Sequence, residues 1–224
     1  IAQPVRENLT VVEDSSGRQY RFGMPGPHLS TTEIEHVEER VREELAEGSY
    51  LVASGSLPPG VPADFYARLA DAARDAGARF VLDTSGEPLT HAVEEGVFLV
   101  KPNLKELASL TDDGGLEEPR IREVAGELVA RGRAEHVLVS MGSGGAYLVN
   151  ADGSRKVAAP TVSVRSRIGA GDSMVGGLVF ALAEGRAMGE AVRRAVAAGA
   201  AAVTTPGTEL CHRADTLRLL EEVE

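Results

Sequence analysis

The sequence predicts an α/β fold whose mainly parallel sheet is covered by helices on both faces. Three observations carry this expectation. From residue 30 onward, short apolar runs alternate with helical segments, the rhythm of strand–helix–strand units. The runs are of the buried type, as in Phe80-Val81-Leu82 and Val97-Phe98-Leu99-Val100. Polar and glycine-rich residues collect directly after them: Ser56, Asp83, Lys101 with Asn103, and Ser140-Met141-Gly142. Ligands of open parallel sheets bind beyond the carboxyl ends of the strands, so this placement points to a site.

The elements follow in order. Residues 8–13 and 18–22 read as two strands of a hairpin around Asp14-Ser15-Ser16-Gly17. Two strands are marginal alone, so the hairpin needs partners from further sequence or another chain. Ile1 stands where an initiator methionine would, which reads as a processed chain or a fragment. Ser30 followed by Glu33 is a capping-box signal for a helix reaching about residue 47. A strand over 50–53 ends in Ser54-Gly55-Ser56-Leu57-Pro58-Pro59-Gly60, and a helix over 63–76 stops at Gly77. Strands follow over 80–82 and 97–100, then helices over 103–110 and 118–131 and a strand over 136–139. Residues 146–149 and 157–164 read as a meander turned at Asn150-Ala151-Asp152-Gly153. Helices fill 171–183, 188–203 and 215–221. The first of these is apolar and small on every side, so it should be buried.

Composition narrows the class. The 224 residues suit one sizeable α/β domain, and 43% hydrophobic with 25% charged residues is ordinary for a globular chain. The net charge of -11 argues against nucleic acid, which asks for a basic face. No apolar run approaches the ~20 residues of a membrane helix. One cysteine, Cys211, excludes an intrachain disulfide framework and fits a reducing cytoplasm. The five histidines show no metal-ligand spacing. Lysine is rare, with Lys101, Lys105 and Lys156 the three present.

The chemistry concentrates in a few segments. Arg167-Ile168-Gly169-Ala170-Gly171-Asp172-Ser173 runs into the apolar helix, placing a carboxylate and free backbone amides at one helix start. Such a start suits a phosphate oxyanion, and Asp172 can take a proton from an attacking hydroxyl. The alternative is a tight turn with Asp172 or Ser173 as N-cap. Asn103 and Glu106 share a helix face and can hold Mg²⁺ through its water shell, or simply cap their helix. Asp83 is a second carboxylate for the metal, or a cap for the next helix. Ser140-Met141-Gly142-Ser143-Gly144-Gly145 suits phosphate or nucleotide contact, though such loops also serve hairpins without ligands. Arg6 can grip a phosphate with its planar fork, or lie solvated. Together these make a phosphoryl-transfer kit, in which positioning and charge neutralisation dominate.

On these motifs the chain resembles the ribokinase-like, PfkB-type carbohydrate kinases, over its whole length and most closely in their phosphofructokinase group. The matching segments are Arg6-Glu7-Asn8-Leu9, Gln19-Tyr20-Arg21-Phe22 with Met24-Pro25-Gly26, and residues 54–60, 101–107, 140–145 and 169–176. The resemblance implies a three-layer α/β/α sandwich with a small β-sheet lid, here residues 1–24, on a kinase core over 25–224 that lacks its N-terminal strands. It implies Asp172 as base and Gly169, Ala170 and Gly171 as the anion hole. Asn103 and Glu106, with Asp83 as a candidate, would serve magnesium. Lys101, Asn103, Ser140, Gly142, Ser143, Gly144 and Gly145 would serve ATP, with Val164 and Ala200 near the adenine. Arg6 and Ser56 would hold the sugar phosphate. A potassium site near Ser166, Ile168, Ala202 and Gly207 is a further implication, with Thr205 and Glu209 weaker ligands. The implied reaction is fructose 6-phosphate to fructose 1,6-bisphosphate in a cytoplasmic homodimer joined through the lid. The alternatives are a 1-phosphofructokinase, a tagatose-6-phosphate kinase, or a fragment or binding regulator without turnover. Relatives carry further sequence before Arg6, so the chain alone is expected to lack part of its sugar pocket.

Overall fold

A computed structural model describes residues 1–13, 15–16, 18–111 and 117–223. Two sheets organise it. In the small one, β1 (Asn8–Val12) pairs antiparallel with β2 (Gln19–Gly23), and Leu9 faces Phe22 as Val11 faces Tyr20. These four side chains are exposed and share one face. Two positions of the expected turn, Asp14 and Gly17, lie outside the described residues.

The large sheet runs in the order β3-β4-β5-β6-β7-β8. Strands β3 (Tyr50–Ser54), β4 (Arg79–Asp83), β5 (Val97–Val100) and β6 (Ala134–Ser140) are parallel, while β7 (Ala146–Asn150) and β8 (Gly153–Val157) complete an antiparallel edge. Helices α1 (Thr31–Glu44), α2 (Phe65–Asp75), α3 (Glu87–Glu95), α4 (Leu104–Ala108) and α5 (Glu118–Ala130) precede β6, and α6 (Ala170–Ala183), α7 (Met188–Ala202) and α8 (Arg213–Leu220) follow β8. Alternation along the strands divides the core into two layers. Phe80, Leu82, Val100, Val137 and Val139 pack with α2, α3 and α5. Val81, Leu99, Leu138 and Leu148 pack with α6 and α7. The expected three-layer α/β/α sandwich is therefore present.

Local signals explain where elements begin. The Ser30 side chain accepts from the Glu33 amide and the Glu33 carboxylate accepts from the Ser30 amide, so the capping box starts α1 as expected. The same box, Asn103 with Glu106, starts α4.

Four expectations need correction. Helix α1 ends at Glu44, three residues before the expected end, because Leu45 is extended. Helix α3, whose limits the sequence did not define, starts at Gly86 with φ 68° and has no side-chain cap, so Asp83 does not cap it. The second strand of the meander is Gly153–Val157, not 157–164. Asn150 Oδ1 accepts from the Asp152 amide at 3.0 Å and closes a two-residue turn, so pairing starts at once between Asn150 and Gly153. Beyond Val157, Pro160 has no amide to give a ladder. Finally, α6 is not buried on all sides: Gly176 and Phe180 are exposed while Met174, Val175 and Leu178 are enclosed.

Helix α6 is set on α7 by a close backbone approach. A Cβ at Gly177 would lie 2.8 Å from Ala198 Cβ and 3.2 Å from Arg194 O. A Cβ at Gly199 would lie 3.3 Å from Ala170 O, so α7 also lies close against the first turn of α6. At Gly176 a Cβ would meet nothing within 4 Å. Neighbouring glycines should therefore respond in opposite directions in thermal unfolding. Gly177→Val is expected to destabilise by about 1–3 kcal/mol through overpacking, whereas Gly176→Ala is expected to raise Tm, worth about 0.5–1 kcal/mol.

Candidate functional site

The carboxyl ends of β3, β4, β5 and β6 meet the first turn of α6 on one edge of the large sheet. Their register brings them together: Ser54 faces Asp83, the Lys101 amide donates to Leu82 O at 2.9 Å, and Asn103 bridges Ser140. Residues distant in sequence thus gather at one end of the sheet.

Helix α6 begins at Gly169, whose φ of 76° is left-handed and suits glycine. No side chain caps this start, which excludes Asp172 or Ser173 as N-cap and leaves first-turn amides for a ligand. Asp172 occupies the third helical position and is exposed, not packed in the interior. One of its oxygens, Oδ1, accepts from Ser54 Oγ at 3.2 Å. Gly171 needs no special conformation: a Cβ there would make ordinary contact, 3.6 Å from Lys101 Nζ and 3.7 Å from Asp83 Oδ2.

Those two groups form an ion pair beneath the helix start. Lys101 is 4% exposed, and its Nζ lies 3.0 Å from Asp83 Oδ1. Burial pushes the Asp83 carboxyl above its ordinary range; Lys101 opposes this, and the nearby Asp172 charge adds to it. Lys101 was expected at ATP and Asp83 at a metal. In the structure the two are each other's counter-ions, with Lys101 buried and Asp83 half-buried.

Asn103 and Glu106 are at the expected strand-to-helix junction. Asn103 Oδ1 accepts from the amides of Lys105 and Glu106, and Glu106 Oε2 accepts from the Asn103 amide at 2.8 Å. Both capping and cation binding remain compatible, because the second Glu106 oxygen is outside the box. Among the described residues, no cluster of three His, Cys, Asp or Glu side chains is placed to hold a metal.

The loop after β6 forms a 3-10 turn over Gly142–Gly144, with Ser143 between the glycines, tied back by Ser140 N to Pro102 O at 2.9 Å and Met141 N to Gly145 O at 2.9 Å. It therefore borders the Lys101-Pro102-Asn103 corner. Gly145 has a packing reason of its own: with φ 86°, a Cβ would fall 2.0 Å from Val157 O. Val164 is exposed, and the next residue's amide donates to Val203 O at 2.8 Å at the end of α7. Ala200 is buried inside that helix and offers a ligand little surface.

Arg6 and Ser56, singled out together, do meet: Arg6 Nη1 donates to Ser56 Oγ at 3.4 Å. Ser166 is buried, donates to Gly207 O at 2.5 Å and accepts from the Ile168 amide at 3.2 Å. Thr205 Oγ1 donates to Ala202 O and Glu209 O. Sequence reasoning missed Ser54; its position at the end of a strand, two residues before Ser56, was the available signal.

The chain is similar to known proteins. The family model for pfkB family carbohydrate kinases matches residues 2–215. The ATP-dependent 6-phosphofructokinase isozyme 2 of Mycobacterium tuberculosis (strain CDC 1551 / Oshkosh) is 43% identical over 221 residues, covering 99% of this chain and 65% of that protein. The 1-phosphofructokinase of Rhodobacter capsulatus is 37% identical over 211 residues, covering 92% of this chain and 65% of that protein. The crystal structure of Escherichia coli phosphofructokinase-2 in complex with potassium superposes with a TM-score of 0.91 at 43% identity, covering 96% of this chain and 70% of that one. The chain thus spans about two thirds of the length of these relatives.

The buried pair yields a test. Lys101→Met leaves the half-buried Asp83 charge unpaired and should destabilise by about 1–3 kcal/mol at neutral pH. With its cation gone the carboxyl moves further up, so the folded form binds a proton at pH values where the unfolded chain does not. The deficit in Tm should therefore shrink as pH falls from about 7 to about 5.

Proposed function

The chain belongs to the pfkB family of carbohydrate kinases, and we propose that it transfers the γ-phosphoryl group of ATP to the 1-hydroxyl of fructose 6-phosphate, giving fructose 1,6-bisphosphate and ADP. The observation that carries this reading is Asp172, an exposed carboxylate at the uncapped first turn of α6, facing the tips of β3 and β4. Asp172 takes the proton of the 1-hydroxyl. That oxygen attacks the γ-phosphorus in line, and the bond to the β,γ-bridging oxygen breaks. The amides of Gly169, Ala170 and Gly171, in the positive end of the helix dipole, stabilise the migrating charge.

Arg6 and Ser56 hold the 6-phosphate, the arginine through its fork of N–H donors. The loop of Ser140, Gly142, Ser143 and Gly144 offers backbone donors to ATP phosphates, with Val164 as apolar surface near the adenine. Magnesium fits the hard-oxygen donors at Glu106 and Asn103, because this ion takes few protein oxygens and keeps water. When bound it neutralises the phosphate oxygens of ATP. Potassium fits the carbonyl-rich turn around Ser166, Ile168, Ala202 and Gly207, where hydroxyls and carbonyls already converge. The similar Escherichia coli structure is described in complex with potassium.

The hairpin of β1 and β2 acts as a lid over 1–24 and, through Leu9, Val11, Tyr20 and Phe22, joins two copies. A cytoplasmic setting agrees with the single free cysteine, and no helix among the described residues is long and apolar enough to cross a membrane. The likeness to a 1-phosphofructokinase supports a second reading, with fructose 1-phosphate as acceptor.

The test compares both acceptors in the complete protein and its Asp172→Asn variant. A preference for fructose 6-phosphate is expected, with kcat falling by ~10² or more in the variant and ATP affinity nearly kept. A preference for fructose 1-phosphate would select the second reading. An Asp172→Asn enzyme of ordinary kcat would remove both.

A further inference from the structure

We propose that Ser54 is a positioning residue for Asp172: its hydroxyl engages Oδ1 and so turns Oδ2 toward the acceptor alcohol. The proposal rests on the reading of Asp172 as the base. Among the described residues, Ser54 Oγ is the side-chain hydrogen-bond donor found on that carboxylate, at 3.2 Å. It links the last residue of β3 to the first turn of α6, two elements otherwise separated by 118 positions.

The peptide after Ser54 is firmly held. Gly55 N donates to Asp83 O at 2.8 Å. Gly55 O accepts from Thr84 Oγ1 at 2.8 Å and from Tyr66 Oη at 3.1 Å, and both donors come from buried residues. Gly55 itself has φ 99°, a conformation that side-chain-bearing residues avoid. The hydroxyl is thus presented from a turn with little freedom, which is what orientation of a reacting group requires.

A contrast within the molecule shows what Ser54 prevents. Glu106 occupies the third position of α4, and its carboxylate folds back to the Asn103 amide at the helix start. Asp172 occupies the same position of α6, yet its carboxylate points outward to Ser54 instead. The terminal torsion of an aspartate is broad and nearly two-fold, so without an outside donor it does not select one orientation. Ser54 supplies that selection. It leaves Oδ2 as the oxygen that receives the proton of the alcohol, while the Oδ1 bond persists.

The experiment is a double-mutant cycle on the complete protein with ATP and fructose 6-phosphate. Ser54→Ala should lower kcat about 10–100-fold, the scale of a misplaced reacting group, with both KM values within about twofold. Tm should be unchanged. Ser54→Thr, which keeps the hydroxyl, should restore most of kcat. In the Asp172→Asn background, Ser54→Ala should add almost nothing, because the group it orients is gone. A Ser54→Ala enzyme with wild-type kcat, a loss that threonine does not restore, or a loss equally large in the Asp172→Asn background would each overturn the positioning role while leaving the kinase reading in place. If Asp172→Asn alone keeps kcat, the kinase reading falls and the positioning role with it.

Discussion

The buried ion pair between Asp83 and Lys101 constrains the whole site. Two charges taken from water cost several kcal/mol each unless they remain paired, and here the partners come from adjacent parallel strands. Their contact fixes the tips of β4 and β5 relative to each other, and it lies directly beneath Gly171, where α6 begins. Any shift of either strand tip would separate charges with little solvent to replace the lost partner. The first turn of α6 rests directly on this pair.

It is held from the side by packing. Gly177 lets α7 approach α6 more closely than a Cβ would permit, and at Gly199 the fit is tight against Ala170 O, in the turn that offers its amides. The sheet contributes the third support through Ser54. Charge, close packing and one hydrogen bond thus converge on a single helix start, and exposed Asp172 sits at their junction. This is the rigidity that phosphoryl transfer needs, because its catalysis is mostly placement and charge compensation.

Local signals were legible in the sequence and long-range ones were not. Ser30 with Glu33 and Asn103 with Glu106 announced their helices, because a capping box is closed within four residues. The parallel strands were visible as short apolar runs, with polar residues following their carboxyl ends. The partner of Lys101 was not legible, because only the register of β4 against β5 brings the Asp83 carboxylate beside it. Ser54 escaped notice for the same reason, since its partner is remote in sequence. The start of β8 depended on a two-residue turn within an ambiguous stretch. The exposed side of α6 was hidden because Gly176 and Phe180 look apolar or neutral on paper, and burial is a property of neighbours.

The most direct test of the central claim is a crystal structure of the complete protein with fructose 6-phosphate and a non-hydrolysable ATP analogue. The account predicts the γ-phosphate against the amides of residues 169–171 and the 1-hydroxyl oxygen within about 2.6–3.2 Å of an Asp172 carboxylate oxygen. Substrates seated elsewhere on the sheet, or an acceptor hydroxyl out of reach of that carboxylate, would contradict it.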